Sequence, residues 1–453
     1  MTSRNLKLLW IVVIVSIFCY GNAQRIRNLG DLALAMEIIE REYVKTPDKQ
    51  KLYQAAMKGM IDSLDPYSGY IPIESLKPFN AVFNQEFGGL GVSLDGPPRR
   101  DRLTIVSTLF DSPAYRAGLK PGDVIVEIDG VESATLEVDV VSKKLRGREG
   151  TPVTLTLERA SEAKPLEIKV VRARIEIESV LGDRRKANGS WEFIMEEDPR
   201  LAYMRLELFG EKTSDELKAA IASVSKDCKG LIIDLRDNTG GLLTAAKEIC
   251  DMFLDDGDIV STRGRDNRID HLYTATKGTE IANSVPIAIL INEHSASASE
   301  VVAGCLQDRC RATIVGDRSF GKGSVQNVIP LDGGMAAMRL TTAYYYPPSG
   351  RLIHRELTAK PEDTWGVTPD EGCKVSLDDA SFLKTIERFR KRADPSQNGL
   401  GKPNEATSSG SSSDDTSSAA ADDHSDAIKH IDASLTDDPQ LAKAVEVLKG
   451  KMQ

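Results

Sequence analysis

The sequence predicts a multidomain α/β protein, and three observations carry that reading. Between residues 176 and 392, short apolar runs suited to buried strands alternate with amphipathic helical segments, the pattern of a largely parallel sheet covered on both faces. Between 85 and 175 the chain changes to short β-rich runs separated by Gly and Pro turns, which marks a separate small β unit. At 453 residues the chain is also too long for a single hydrophobic core.

At the N-terminus, Arg4 and Lys7 precede the apolar block Leu8 to Tyr20, and Gly21, Asn22 and Ala23 follow as small residues at the offsets of a cleavage site. This block of 13 residues is short against the ~20 that a membrane span requires. Residues 1–23 are therefore expected to be a secretory signal that exports the chain to a periplasm or to the medium, with an uncleaved membrane anchor as the alternative. Residues 24–84 read as a helical region. Leu32, Leu34, Met36 and Ile39, then Leu52, Ala56, Met60 and Leu64, recur at helical spacing, and Thr46, Pro47 and Asp48 mark a turn between two helices.

In residues 85–175 the strand candidates are Leu103 to Val106, Val124 to Ile128 and Val153 to Leu157, with one amphipathic helix expected from Thr135 to Leu145. The order of these elements, with the phrases FGGLGVSL, DSPAYRAGLKPGDVIVEIDG and LRGREGTPVTLTLER, resembles a PDZ domain. The resemblance implies that the turn Gly89, Leu90, Gly91 and Val92 captures a peptide's terminal carboxylate. Backbone N–H groups of a tight glycine turn can converge on one anion, and the strand that follows offers an edge to an added peptide. Leu90, Val92 and Leu94, with the helix face of Val138, Val141 and Leu145, would line an apolar pocket for the terminal side chain. Taken alone, the glycine turn reads rather as an ordinary connection between strands, and the two other phrases in register carry the PDZ reading.

From 176 to 392, buried strands are expected at Leu201 to Leu206, Leu231 to Leu235, Ile287 to Ile291 and Ala312 to Val315, with helices at Ser214 to Ser225, Leu242 to Leu254 and Ala298 to Asp308. Residues 393–436 are mostly Ser, Asp, Gly and Ala, a composition too poor in apolar side chains to offset the entropy of ordering, and are expected to be a disordered acidic linker. Helical periodicity returns in 437–453, which is expected to dock back on the body of the protein.

With 58 basic and 68 acidic residues the net charge is −10, which argues against binding nucleic acid through bulk electrostatics. Once residues 1–23 are removed, Cys228, Cys250, Cys305, Cys310 and Cys373 remain, with no CxxC and no metal-type spacing. Neither a disulfide framework, a metal nor any other cofactor is expected.

Three segments lie at the ends of predicted strands: DLRDNTGG (Asp234 to Gly241), EHSASASE (Glu293 to Glu300) and GDRSFGKGSVQ (Gly316 to Gln326). In a parallel sheet such ends gather on one edge, where ligands and catalytic groups collect. The third segment matches a phosphate-binding loop through Lys322, then fails at Gly323, where Ser or Thr is required. It also continues into a strand rather than the helix that such a loop opens.

The alternative role for Lys322 is general base. That role requires a neutral amine, hence desolvation, since an exposed lysine has a pKa of ~10.4. Glycines on either side let the backbone bend, and Gln326 lies four residues on, on the same strand face. A surface lysine in a glycine hairpin is the plain alternative. In EHSASASE, a serine at a strand-to-helix turn has a helix N-terminus behind it to favour an oxyanion, but this does not choose between Ser295, Ser297 and Ser299. A histidine partner is poorly supplied: His424 and His430 fall in the linker, His294 is too close in sequence, and His271 and His354 are weak candidates.

The combination of SASASEVVAG, GDRSFGKGSVQ, YYPPSGRLIH and GVTPD, with LDPYSGYIP and DLRDNTGGLL, resembles the carboxy-terminal processing or tail-specific proteases over about Leu32 to Asp370. The resemblance implies a serine endopeptidase acting on protein substrates with a free, apolar C-terminus. It implies Ser297 as nucleophile, Lys322 as general base and Gln326 as the residue that orients the lysine. The N–H of Ala298 with that of Gly240 or Gly241 would form the oxyanion hole. Asp308 matches a recurrent family position behind the serine and reads as structural. The turn has Asp-Asn-Thr-Gly-Gly where the family often has Asn-Pro-Gly-Gly. The rival readings are an inactive PDZ scaffold, which intact Ser297, Lys322 and Gln326 disfavour, and a nucleotide-binding enzyme, which Gly323 disfavours.

Overall fold

In this computed structural model the described residues are 30–96, 102–134, 136, 138–394 and 435–452, with Trp10 and Val13. The signal expected over 1–23 thus lies outside the described residues apart from those two. So does the linker expected over 393–436, apart from its first two and last two positions. By contacts the described chain divides into two units, 1–76 with 326–341, and 77–325 with 342–453.

The second unit is built on a five-stranded sheet of β1 (Val180–Leu181), β2 (Leu201–Leu206), β3 (Gly230–Asp234), β4 (Ile287–Ile291) and β5 (Ala312–Gly316), in that spatial order. β1 runs antiparallel to β2, and the remaining neighbours are parallel. Every residue of β3, β4 and β5 is buried. Their continuous runs of Ile, Leu and Val belong to strands covered on both faces rather than to a half-exposed sheet.

Side-chain alternation sorts these strands between two cores. Leu231, Ile233, Ile287, Ile289, Ile291 and Ile314 pack against the connecting helices α1 (Thr213–Val224), α2 (Leu243–Asp251) and α3 (Ala298–Asp308). Ile232, Ala288, Leu290 and Val315 face the other way. They meet Leu441, Ala444, Val445 and Leu448 of the C-terminal helix α5 (Pro439–Lys451), which follows α4 (Asp379–Ala393) in sequence. The tail helix therefore docks as expected and closes the second face of the sheet. Asp234 lies opposite Leu290 and Ile291 opposite Gly316. In consequence the three motif-bearing loops leave neighbouring strands at the same edge.

The same unit holds the small β domain, with strands Val92–Asp95, Thr104–Thr108, Val124–Ile128, Pro152–Glu158 and Leu166–Val171 adjacent in that order. Its helix is described over Val138–Leu145 and ends where the periodicity suggests, while Thr135 and Glu137 at its expected start lie outside the described residues. Glu86–Gly89 pairs antiparallel with Ala173–Glu176 at its junction with the sheet domain. There the fully buried Gln85 accepts the N–H of Lys212 at 2.7 Å and donates to Glu216 and to the Ile177 carbonyl, both at 3.2 Å.

In the first unit, residues 30–42 and Lys49–Asp62 are helical, separated by the turn that Thr46, Pro47 and Asp48 announce. Asp48 caps the second helix by accepting the N–H groups of Gln50 and Lys51. Gly69–Ile71 pairs antiparallel with Ala337–Arg339. Asp65 accepts the N–H groups of Tyr67 and Ser68, each at 2.7 Å, and the Thr341 hydroxyl at 3.2 Å, which accounts for the LDPYSGY phrase as a turn built on one carboxylate.

Candidate active site

The loop after β3 supplies the platform. Leu235 and Asn238 turn their carbonyls toward the segment that follows β4, and Asn238 is held from its side chain, which donates to the Leu206 carbonyl at 2.8 Å and accepts the Gly240 N–H at 2.8 Å. The two adjacent carbonyls give the three alternating serines unequal environments. Ser295 Oγ donates to the Leu235 carbonyl at 2.8 Å, and Ser299 Oγ donates to the Asn238 carbonyl at 2.8 Å; both residues are fully buried. Ser297 lies between them, is 6 % exposed, and has φ 57° with ψ −113°.

A non-glycine residue in that region stores strain of ~1–3 kcal/mol. Here it stands at the abrupt passage from the loop after β4 into α3, whose N-cap is Ser297. A serine forced into such a turn presents its hydroxyl ahead of the helix N-terminus. The phenol of Tyr345 lies beside the Ser297 side chain, and its burial pushes its pKa up to about 12. Tyr345 is thus a neutral hydroxyl at physiological pH.

The lysine loop is joined to the serine turn by one carboxylate. Glu300, fully buried in the first turn of α3, accepts the N–H of Ser297 at 2.9 Å and that of Lys322 at 2.7 Å on the same oxygen. Its other oxygen accepts the N–H of Gly321 at 2.7 Å and the hydroxyl of Ser319 at 2.5 Å. Burial pushes the Glu300 pKa up to about 7, against these four hydrogen bonds, which all favour the anion. The loop is also fixed from its other side. The Gly321 carbonyl accepts the N–H of Arg355 at 2.8 Å, and that of Gly323 accepts the N–H of Tyr345 at 2.7 Å. The backbone nitrogens of Ser297 and Lys322 are within two hydrogen-bond lengths of each other, and both are held by the same group.

The two glycines of the turn differ as well. Gly240 has φ 101°, and a Cβ there would come within 2.7 Å of the Ala296 carbonyl and 2.9 Å of the Ala298 nitrogen. Only glycine lets the turn approach the serine so closely. Its N–H is occupied by Asn238 Oδ1. Gly241 is in a different position: it bridges Phe209, and the side facing a Cβ would meet the Phe209 carbonyl at 2.2 Å.

The other expected site residues have partners of their own. Gln326 belongs to the first unit, where its amide donates to the Thr341 hydroxyl at 3.3 Å. His271 is exposed on the strand Ile269–Thr274, 6.0 Å from the Tyr273 ring. His294 is exposed, and the ring of His354 lies 4.8 Å from that of Tyr344 and tilted by 44° to it. Asp308 accepts the N–H of Ser349 at 3.0 Å and pairs with Arg351 at 3.2 Å, a link that anchors the PPSGR segment.

In the small β domain, Gly91 has φ 80°, and a Cβ would collide with Ser112 at 2.4 Å, so this turn requires glycine. Leu90, Val141 and Leu145 lie in the domain core, whereas Val92, Leu94 and Val138 are only partly buried against it. A cleft of about 1130 Å³ lies elsewhere, between this domain and α4, with Phe110, Tyr115, Arg185, Trp191 and Phe389 in its walls. Neither Ser297 nor Lys322 lines it.

Glu300, Tyr345, Asn238 and Arg236 were given no role from sequence, although all but Arg236 lie directly against the serine segment. For Glu300 a signal was present: Ser297 and Glu300 have the Ser-x-x-Glu spacing of a capping box ahead of an apolar helix.

Comparison with known proteins places these features in context. Residues 200–372 match peptidase family S41, residues 110–159 a PDZ domain, and residues 20–75 the N-terminal domain of the activating protease CtpB. The chain is 40% identical over 365 residues to a carboxy-terminal-processing protease of Bartonella bacilliformis, covering 80% of this chain and 78% of that one. It is 35% identical over 370 residues to a probable CtpA-like serine protease of Staphylococcus aureus, covering 80% and 71%. Among solved structures, a photosystem II D1 C-terminal processing protease aligns over 80% of this chain and 92% of its own, at 25% identity and a TM-score of 0.45.

Proposed function

Because the chain belongs to the carboxy-terminal-processing proteases of peptidase family S41, we propose that it is an exported endopeptidase which holds the C-terminal tail of a protein substrate on its PDZ domain and cleaves peptide bonds with a Ser297–Lys322 dyad. The enzyme is a serine protease with a PDZ domain. The observation that carries the dyad is the shared Glu300 carboxylate, which fixes the backbones of Ser297 and Lys322 to one atom.

In the proposed reaction the neutral amine of Lys322 takes the proton of Ser297 Oγ as that oxygen attacks the scissile carbonyl carbon. Negative charge forms on the carbonyl oxygen, toward the N–H of Ala298 at the start of α3 and a second N–H from the glycine turn. Gly241 is the better donor for this second bond, since the Gly240 N–H is taken by Asn238. Collapse of the tetrahedral species breaks the C–N bond, with the proton passing from Lys322 to the leaving amine. Water then enters and gives a proton to Lys322 as its oxygen bonds the acyl carbon; collapse breaks the bond to Ser297 Oγ, which takes the proton back from Lys322 and frees the acid product. Tyr345, beside Ser297, is assigned the task of steadying its hydroxyl before attack. Gln326 keeps, by its motif position, the lysine-orienting role.

Tail capture is supported by the Gly89–Val92 turn, where Gly91 permits a conformation closed to other residues, and by the partly buried Val92, Leu94 and Val138 beside it. Export is supported by the basic and apolar pattern of residues 1–23. The test is hydrolysis of a protein substrate by the purified chain beside its Ser297→Ala variant. Turnover by the parent and none by the variant is expected; equal turnover would remove Ser297 from the mechanism.

A further inference from the structure

We propose that Asp438, at the start of the C-terminal helix, is a positioning residue for the reaction, acting through Arg236 on the turn that carries the serine segment. The inference rests on the reading of Ser297 as nucleophile. Asp438 lies outside the residues matched to the S41 family, 200–372, and is separated from Arg236 by 202 positions.

Arg236 is 3 % exposed and lies between two carboxylates. Asp234 accepts its Nε at 2.9 Å and an Nη at 2.6 Å; Asp438 accepts both Nη atoms, at 2.8 and 2.9 Å. Gln440 adds a further bond at 3.2 Å and is itself fixed to the Val375 carbonyl. Arg205 approaches Asp234 at 3.4 Å, donates to the Arg236 carbonyl at 3.1 Å and also pairs with Glu207 and Asp237, so it is Arg236 whose charge depends on Asp438. A guanidinium cannot shed its charge by deprotonation. Without Asp438 the buried Arg236 is left with Asp234 as its charged partner, one that it shares with Arg205, and Arg236 must move or draw in water.

Movement of Arg236 reaches the reaction centre through its sequence neighbours. The Leu235 carbonyl holds Ser295 Oγ, and the Asn238 carbonyl holds both the Ala296 N–H at 3.0 Å and Ser299 Oγ. Asp237 and Asn292 exchange two hydrogen bonds, at 3.0 and 2.9 Å. The hydrogen bonds of Leu235, Asp237 and Asn238 to the segment after β4 are therefore made within two residues of Arg236, and the close approach of Gly240 to Ser297 follows two residues further on. The C-terminal helix thus contributes more than apolar cover: its cap neutralises the charge on which the turn is built.

Asp438 also caps α5, accepting the Leu441 N–H at 3.0 Å. Asparagine caps a helix as well as aspartate does, so Asp438→Asn removes the counter-charge while leaving the helix start intact. In the full chain, kcat for hydrolysis of a C-terminally tagged protein is expected to fall by about ten- to a hundredfold, the range of a displacement near 1 Å at a reaction centre. KM should stay within about twofold of the parent, whereas the melting temperature falls because a buried charge loses its partner, so kcat is taken per folded molecule. Asp438→Glu should recover part of the loss, and Asp437→Asn should match the parent. Parent-like kcat in Asp438→Asn, or a loss no larger than its loss of folded protein, overturns the proposal. If Asp438→Asn does not accumulate as folded protein, Asp438→Glu decides: lowered kcat at constant KM supports the proposal and parent-like kcat overturns it. An inactive parent measured alongside would instead defeat the Ser297 reading, and this inference with it.

Discussion

Glu300 Oε2 accepts the backbone N–H of Lys322 at 2.7 Å while holding that of Ser297 at 2.9 Å. A single buried carboxylate thus sets the spacing of the two residues assigned to the chemistry, and its ionisation affects both. With its pKa raised from 4.5 to about 7 in the folded chain, Glu300 binds more protons folded than unfolded across that interval. Its contribution to stability is therefore greatest below about 4.5 and declines as pH rises through about 7. Relative to Glu300→Gln, the parent should lose up to about 3 kcal/mol of stability over this range, at 1.36 kcal/mol per pKa unit. Thermal unfolding of both proteins at several pH values checks this; parallel pH profiles would contradict it.

The three serines should separate by stability as well as by activity. Ser295→Ala and Ser299→Ala each remove a buried hydrogen bond and should cost about 1 kcal/mol, while retaining substantial turnover. Ser297→Ala should fold at least as stably as either and lose hydrolysis entirely, since the bond-forming hydroxyl is gone. Unfolding midpoints and turnover measured together distinguish the cases. Abolished activity in Ser295→Ala with survival in Ser297→Ala would identify a different nucleophile.

For the base, charge and basicity can be separated. Lys322→Arg keeps a cation that does not deprotonate, so it should be as inactive as Lys322→Ala. The parent's kcat/KM should rise with pH through an ionisation below the unperturbed lysine value. An arginine variant working near the parent rate would direct attention to His354 or His271.

Tail recognition predicts a dependence on the substrate's terminal charge. Amidating the C-terminus of a peptide removes charge-assisted hydrogen bonds of ~1.5–3 kcal/mol, so affinity should fall roughly ten- to a hundredfold. Binding of matched free-acid and amidated peptides to the Ser297→Ala protein provides the comparison. Equal affinities would mean that the turn at Gly89 to Val92 is only a connection between strands.

The fold was readable because its strands declare themselves: β3, β4 and β5 are unbroken apolar runs, and the helices between them keep helical periodicity. The choice among Ser295, Ser297 and Ser299 was not readable from local pattern. It depends on which carbonyls, those of Leu235 and Asn238, lie across from each hydroxyl, and those carbonyls are about 60 residues away in sequence. Only the family resemblance singled out Ser297. Glu300 was legible in principle from its capping spacing, whereas the pairing of Arg236 with Asp438 leaves no local trace. Leu90, Val141 and Leu145 show the converse limit. Apolar patterning marks a side chain as inward-facing without saying whether it meets a ligand or the core; these three pack in the domain core, and their part in a tail pocket is a proposal.

The most direct measurement is to react the full chain with an acylating fluorophosphonate probe and locate the adduct by peptide mapping. The account predicts one adduct, on Ser297, absent from Ser297→Ala and formed far more slowly in Lys322→Ala. An adduct on Ser295, Ser299 or any other side chain, or undiminished labelling in both variants, would contradict it.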